Sequence, residues 1–208
     1  LICASNKNKV LTDFFETGVY DRNREFYKTM SPSMDILISS NLERFLFDIT
    51  GQDQEKINTW YRELNEKGRF EVGKDIMDKL NDLIVVGYTD EGQTKDTIKS
   101  VKEKYDYVVD THTAVALKVE NELKNKVKSK IVVDSTASPY KFSKNVVESL
   151  SDENFDNKDE FYAIEKLEKI SGTEVHRAIN GLKSKEILHK TIIEKTDMKK
   201  IVKKILNI

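Results

Sequence analysis

The stretch Val132-Val133-Asp134-Ser135-Thr136-Ala137-Ser138-Pro139-Tyr140-Lys141-Phe142 constrains the chain most, because an apolar run passes through small hydroxyl residues straight into a helical pattern. Ile131 to Val133 is a short β-branched run of the kind a buried parallel strand shows. Lys141 to Leu150 then places Phe142, Val146, Val147 and Leu150 at helical spacing. Ser135 and Thr136 are therefore expected at a strand's carboxyl end, where open α/β sheets bind ligands. The competing reading is that Ser135 or Ser138 only caps the following helix, since a serine oxygen readily accepts from an unpaired first-turn N–H.

The rest of the chain alternates short apolar runs with helical stripes, which argues for an α/β fold with a mostly parallel sheet flanked by helices. Leu1 to Ser5 and Ile84 to Tyr88 read as strands. Lys9 to Phe15 starts a helix that runs toward Gly18, and Asp21 to Lys28 is a polar loop. Ser31 as cap and Pro32 in the first turn open a short helix through Ile36 to Ile38. Helices follow over Leu42–Ile49, Asp53–Lys67, Asp75–Leu83, Gln93–Tyr105 and Thr113–Leu123. Asn154 to Glu160 has the composition of a linker, beyond which Phe161, Ile164, Leu167 and Ile170 form one more stripe. Met198 to Leu206 is a basic tail helix whose lysines suit a solvated face near a helix end.

Charge excludes some partners. Lys and Arg number 35 against 36 Asp and Glu, so no basic excess draws the whole chain to nucleic acid or an anionic membrane. The one cysteine, Cys3, lies in an apolar strand pattern and reads as a small core residue, which suits a reducing, cytoplasmic compartment. No apolar run approaches the roughly 18 residues of a membrane span. The chain opens on Leu1 inside an apparent strand without an initiator Met, so it is expected to be the carboxy-terminal part of a longer protein.

The string Ser135-Thr136-Ala137-Ser138-Pro139-Tyr140-Lys141-Phe142 is similar to the S-T-A-x-P-x-K-F element of the threonine synthases, which use pyridoxal 5'-phosphate to turn O-phosphohomoserine into threonine. Further stretches resemble that family's successive motifs in its own order: Ile2 to Asn8, Leu11 to Phe14, Thr17-Gly18, Ser31 to Ile36, Ser40 to Arg44 and Asp110 to Ala116. The likeness is dense to about residue 150 and thin beyond. It implies an α/β fold resembling part of a type II pyridoxal-phosphate enzyme, with residues 1–150 as the cofactor- and substrate-facing part and 151–208 as a carboxy-terminal helical region.

Such an enzyme needs a Schiff-base lysine, a phosphate cradle of backbone N–H groups and a partner for the pyridine nitrogen. The eight glycines are scattered singly, so no glycine-rich cradle is visible. In the family both cradle and lysine lie upstream of the element matching Leu1 to Asn8, and no lysine here matches the Schiff-base motif. The resemblance carries the pyridine partner onto Thr136, with Ser135 beside the cofactor and His112 also there, at a strand-to-helix junction after the brief Val108-Val109 run; the family usually has Pro where Thr111 stands. A lone histidine is otherwise a structural residue or cap, and His176 and His189 have no motif around them.

For the substrate, Asn6, Ser31, Ser33, Asn41 and Arg44 are the polar groups inside these motifs. The planar fork of Arg44 suits phosphate oxygens, while its alternative is a surface ion pair with Asp48 or Glu43. Asp13 and Asp35 would repel a phosphate and are assigned structural roles. The chain is therefore expected to hold one wall of a threonine synthase site, inactive alone, with the amino-terminal part of the same enzyme as its partner. It would expose apolar surface and self-associate. The rival reading is a non-catalytic α/β binding or interaction module.

Overall fold

The computed structural model describes every residue except Asp152, Asn154, Asp156 and Asn157. The chain forms two compact units, Leu1–Glu174 and Val175–Ile208.

In the first unit β1 (Ile2–Ser5) runs parallel to β4 (Val85–Tyr88), pairing Ile2 with Val85 and Ser5 with Tyr88. Between them lie α1 (Val10–Thr17), β2 (Val19–Asp21), α2 (Ser40–Ile49), α3 (Gln54–Lys67), β3 (Arg69–Glu71) and α4 (Lys74–Leu83). Then follow α5 (Glu91–Tyr105), α6 (Thr111–Leu123), α7 (Ser143–Leu150) and α8 (Glu160–Ser171). The fold class is α/β, as expected, with the parallel arrangement confined, among the described residues, to one strand pair. A second pair, β2 with β3, is antiparallel and was not foreseen.

Helix ends follow local chemistry. Gly18 and Gly68 close α1 and α3 in the left-handed conformation, at φ 77° and 76°, which costs glycine no steric penalty. Asp53, Asp90 and Asp159 cap α3, α5 and α8 with side-chain bonds to first-turn N–H groups. The core gathers the apolar faces of α1, α2, α3 and α4 around Phe70, on which Tyr20 and Trp60 stack and Phe14 meets edge-on. The Tyr20 hydroxyl donates to the Leu37 carbonyl at 3.1 Å and accepts from the Ser39 N–H at 2.8 Å. Those two bonds tie the long loop after β2 to the core. Helix α6 packs across the parallel pair. A Cβ on Gly87 would come within 2.8 Å of Val119, so only glycine permits that approach. Burial pushes the Cys3 thiol up to about 11, so it stays protonated, as a core residue would.

Three sequence expectations need correction. Ile131 to Val133 is not a strand: the segment alternates half-buried Ile131 and Val133 with Val132, which is 90% exposed, but makes no ladder among the described residues. A β-branched run favours extended backbone, and a strand needs a partner as well. Ser135 and Thr136 therefore lie in an irregular segment that leads into a 3-10 turn, Pro139–Phe142, capped by Ser138. The helix expected after Ser31 shrinks to the 3-10 turn Pro32–Met34, and the Ser31 side chain does not cap it. His112 enters α6 from a loop, since Val108-Val109 forms no strand.

The stretch read as a linker, 154–160, falls partly outside the described residues; Glu160 itself opens α8, which packs on α7. In the second unit α9 (Met198–Leu206) spans the residues expected of the tail helix, with Met198, Val202, Ile205 and Leu206 exposed. No helix among the described residues is long and apolar enough to cross a membrane.

Candidate active-site wall

Strand β1 ends in a tight turn that buries Asn6, only 1% exposed. Its amide nitrogen lies 2.8 Å from the Thr29 hydroxyl, 3.0 Å from Ser31 Oγ and 2.8 Å from Asp35 Oδ1, and its carbonyl oxygen accepts the Asn8 N–H at 3.0 Å. Asp35 is the hub of this cluster. One oxygen accepts from Asn6, from Asn8 at 3.0 Å and from the Thr29 hydroxyl at 2.7 Å, and the other takes the Thr29 N–H at 2.8 Å. A carboxylate that only accepts is matched here to side chains that can donate. Asp13 pairs with Lys9 and Arg24, so both acids do structural work.

A second cluster opens α6. Asp110, 1% exposed, caps the helix by accepting the N–H groups of His112 and Thr113, the Nδ1 of His112 at 3.1 Å and the Thr113 hydroxyl. Burial works to raise the Asp110 carboxyl, but the bonds from His112 and Thr113 outweigh it and hold it below the ordinary carboxylate range. His112 Nε2 accepts the N–H of Ser33 at 3.1 Å, and its ring lies 4.7 Å from that of Phe142, centroid to centroid. Thr113 Oγ1 sits 2.9 Å from Ser135 Oγ.

The two clusters meet at the Pro32–Met34 turn, with Ser31 bound to Asn6 and Ser33 to His112. Asn6, Ser31, Ser33, His112 and Ser135, drawn from four separate stretches of sequence, are thereby brought together. Thr136 adjoins them; it is exposed, and its hydroxyl has no partner among the described residues. Arg44 and Asn41 stand on the exposed face of α2, joined to each other by a 2.6 Å bond from Arg44 Nη2 to Asn41 Oδ1. Neither Asp48 nor Glu43 pairs with Arg44 among the described residues, because Asn41, one turn back, takes the guanidinium instead. A cavity of about 850 Å³, lined by Ile2, Ala4, Val85, Ala116, Ile131 and Val133 among others, runs beside the parallel pair up to Asp134.

Sequence reasoning missed Asn8, Thr29, Asp110 and Thr113 as members of these two clusters. Asp110 carried a signal, an Asp directly before Thr-His-Thr at a helix start, which is a cap pattern. The polar loop holding Thr29 carried none.

The family model described as "Threonine synthase, C-terminal" matches residues 113–200. Threonine synthase-like 1 from Macaca fascicularis is 33% identical over 196 residues, 94% of this chain and 24% of that protein. Threonine synthase from Methylobacillus glycogenes is 38% identical over 154 residues, 72% of this chain and 32% of that protein. The solved structure of pyridoxal-phosphate-bound threonine synthase from Brucella melitensis superposes with a TM-score of 0.66 at 34% identity, over 72% of this chain and 32% of that one. The chain thus spans between 20% and 34% of the length of such curated relatives.

Proposed function

The chain belongs to the threonine synthase family, as a carboxy-terminal part, and from that premise we propose that it forms one wall of a site that converts O-phosphohomoserine and water to threonine and phosphate. The observation that carries this reading is the convergence of Asn6, Ser31, Ser33 and His112 on one turn, with Ser135 tied through Thr113 to the Asp110 cap beside them, since residues of separate motifs have no structural need to meet. The cytoplasmic setting expected for such an enzyme is part of the proposal.

The residues present fit one side of a pyridoxal phosphate. The Thr136 hydroxyl, exposed and without a partner among the described residues, can bond a pyridine nitrogen, and Ser135, tethered to Thr113, steadies the segment that carries it. Bound there, the cofactor would supply an electron sink for charge developing beside the substrate's amino group. A neutral hydroxyl cannot hold the ring nitrogen protonated by ion pairing, so Thr136 moderates that sink. Arg44 spends one N–H on Asn41 and keeps others for phosphate oxygens; Asn41 fixes the fork's direction. Asn6 and Ser31 serve the substrate side by holding the Pro32–Met34 turn, from which Ser33 presents its hydroxyl.

The test uses the complete enzyme that carries this segment. With pyridoxal phosphate and O-phosphohomoserine it is expected to release phosphate and threonine in equal amounts, while the 208-residue chain alone releases neither. A complete enzyme that binds the cofactor yet yields no threonine would overturn the assignment. Self-association of the isolated chain through exposed side chains such as Leu1 and Val132 belongs to the same proposal, and a monodisperse monomer at high concentration would contradict it.

A further inference from the structure

The hydrogen bonds at the start of α6 run in one direction, and Asp110 sets it. We propose that Asp110 is a positioning residue that fixes the tautomer and plane of His112, and through His112 holds the Pro32–Met34 turn on which Ser33 sits. The consequence for substrate rests on the function proposed above; the tautomer does not.

An ionised carboxylate can only accept. The ring nitrogen facing it, Nδ1 at 3.1 Å, must therefore carry the proton, which leaves Nε2 as a lone pair. That lone pair meets a backbone N–H, the donor of Ser33 at 3.1 Å, so both ends of the imidazole agree on a single tautomer. The Phe142 ring packs against one face of the imidazole and restricts its rotation. On the other branch, the Thr113 hydroxyl spends its only proton on Asp110, so the bond between Thr113 and Ser135 must be donated by Ser135. Ser135 is thereby left with lone pairs alone for whatever lies outside. It serves a ligand as an acceptor, suited to an N–H or O–H group and unsuited to a phosphate oxygen.

Both Asp110 and His112 are almost fully buried, at 1% and 5% exposure, so the imidazole reaches substrate only through the turn it holds. Asp110 accordingly acts on binding more than on the chemical step. Replacing it with Ser separates its two jobs, because Ser still caps the helix but is too short to reach Nδ1. Asn keeps the cap and one carbonyl oxygen for the Nδ1 proton.

The experiment has two arms. In the first, the 208-residue chain with ¹⁵N-labelled histidine is examined by NMR. His112 is expected to show a protonated Nδ1 and an unprotonated Nε2, with the opposite tautomer appearing alongside it in Asp110→Ser, where only the Ser33 N–H and the longer 3.3 Å contact of Nδ1 with the Thr111 hydroxyl still act, and absent in Asp110→Asn and Thr113→Val. A protonated Nε2 in the unaltered chain, or an unchanged pattern in Asp110→Ser, would overturn the proposal. The unaltered chain decides the tautomer even if Asp110→Ser fails to fold.

In the second arm the complete enzyme is assayed. Asp110→Ser is expected to raise KM for O-phosphohomoserine about fivefold, as the loss of one hydrogen bond's worth of positioning would, with kcat within about twofold. Asp110→Asn should restore most of the loss. An altered thermal midpoint with unchanged KM would reduce Asp110 to a cap and overturn its positioning role. The expected tautomer in a complete enzyme without synthase activity would support the positioning of His112 and remove the functional reading alone.

Discussion

Polar side chains from the same motifs settle into two opposite environments. Asn6, Ser31, Asp35, Asp110 and His112 are wholly or partly buried and bonded to one another, whereas Ser33, Asn41, Arg44 and Thr136 are exposed. Among the described residues no buried side-chain nitrogen or oxygen lacks a partner, so the closed set is internally complete. A ligand could enlist it only by breaking bonds that already exist. The open set offers groups a ligand can take at little cost. Motif membership alone thus does not mark a ligand contact; in the proposed site one set frames and the other faces the ligand.

That division can be broken most forcefully at Asp35. Its removal strands donors on Asn6, Asn8 and Thr29, each worth on the order of 1 kcal/mol, so Asp35→Ala should destabilise the chain by about 3 kcal/mol in urea unfolding. A loss below about 1 kcal/mol would show that the hub frames nothing.

Asp110 comes next and carries a pH signature. Its carboxyl is held low in the folded chain, so its contribution is fully present above the unfolded value of about 3.9 and fades as pH falls through the lower folded value. Asp110→Asn should therefore cost on the order of 1 to 2 kcal/mol at neutral pH, with a deficit that narrows below about pH 4. A deficit constant from pH 7 to pH 3 would contradict the ionised hub.

Smaller still is the effect expected at Arg44. Arg44→Lys keeps the charge and loses the fork, so stability should move by no more than about 0.5 kcal/mol. In the complete enzyme the apparent affinity for O-phosphohomoserine should fall. Unchanged kinetics would take Arg44 out of the open set.

How far the sequence showed this division depends on the scale of each pattern. Helices α3 and α9 were legible because Ile57, Trp60 and Leu64 recur at helical spacing over about two turns, and the tail lysines fall in two pairs about one turn apart. Strands β2 and β3 were not, since three residues are too few for an alternation and their pairing spans some fifty residues of chain. The glycines that immediately precede both, Gly18 and Gly68, were the available sign that a helix had ended and an extended segment begun. At Ile131 to Val133 the local preference was read well, but the sheet it implied was not formed among the described residues. In the site, the motif residues were recognisable by type, whereas burial, which sorts them into two sets, depends on long-range packing. Asn6 meets Asp35 across 29 positions, and His112 meets Ser33 across 79. No periodicity reports such meetings.

The division between framing and facing residues rests most directly on Thr136. In the complete enzyme, Thr136→Ala should weaken pyridoxal-phosphate binding about fivefold, the equivalent of one hydrogen bond on the order of 1 kcal/mol, and leave the thermal midpoint of the cofactor-free protein unchanged. An unaltered cofactor affinity, or a fall in stability matching that of Asp35→Ala, would contradict the division between framing and facing residues.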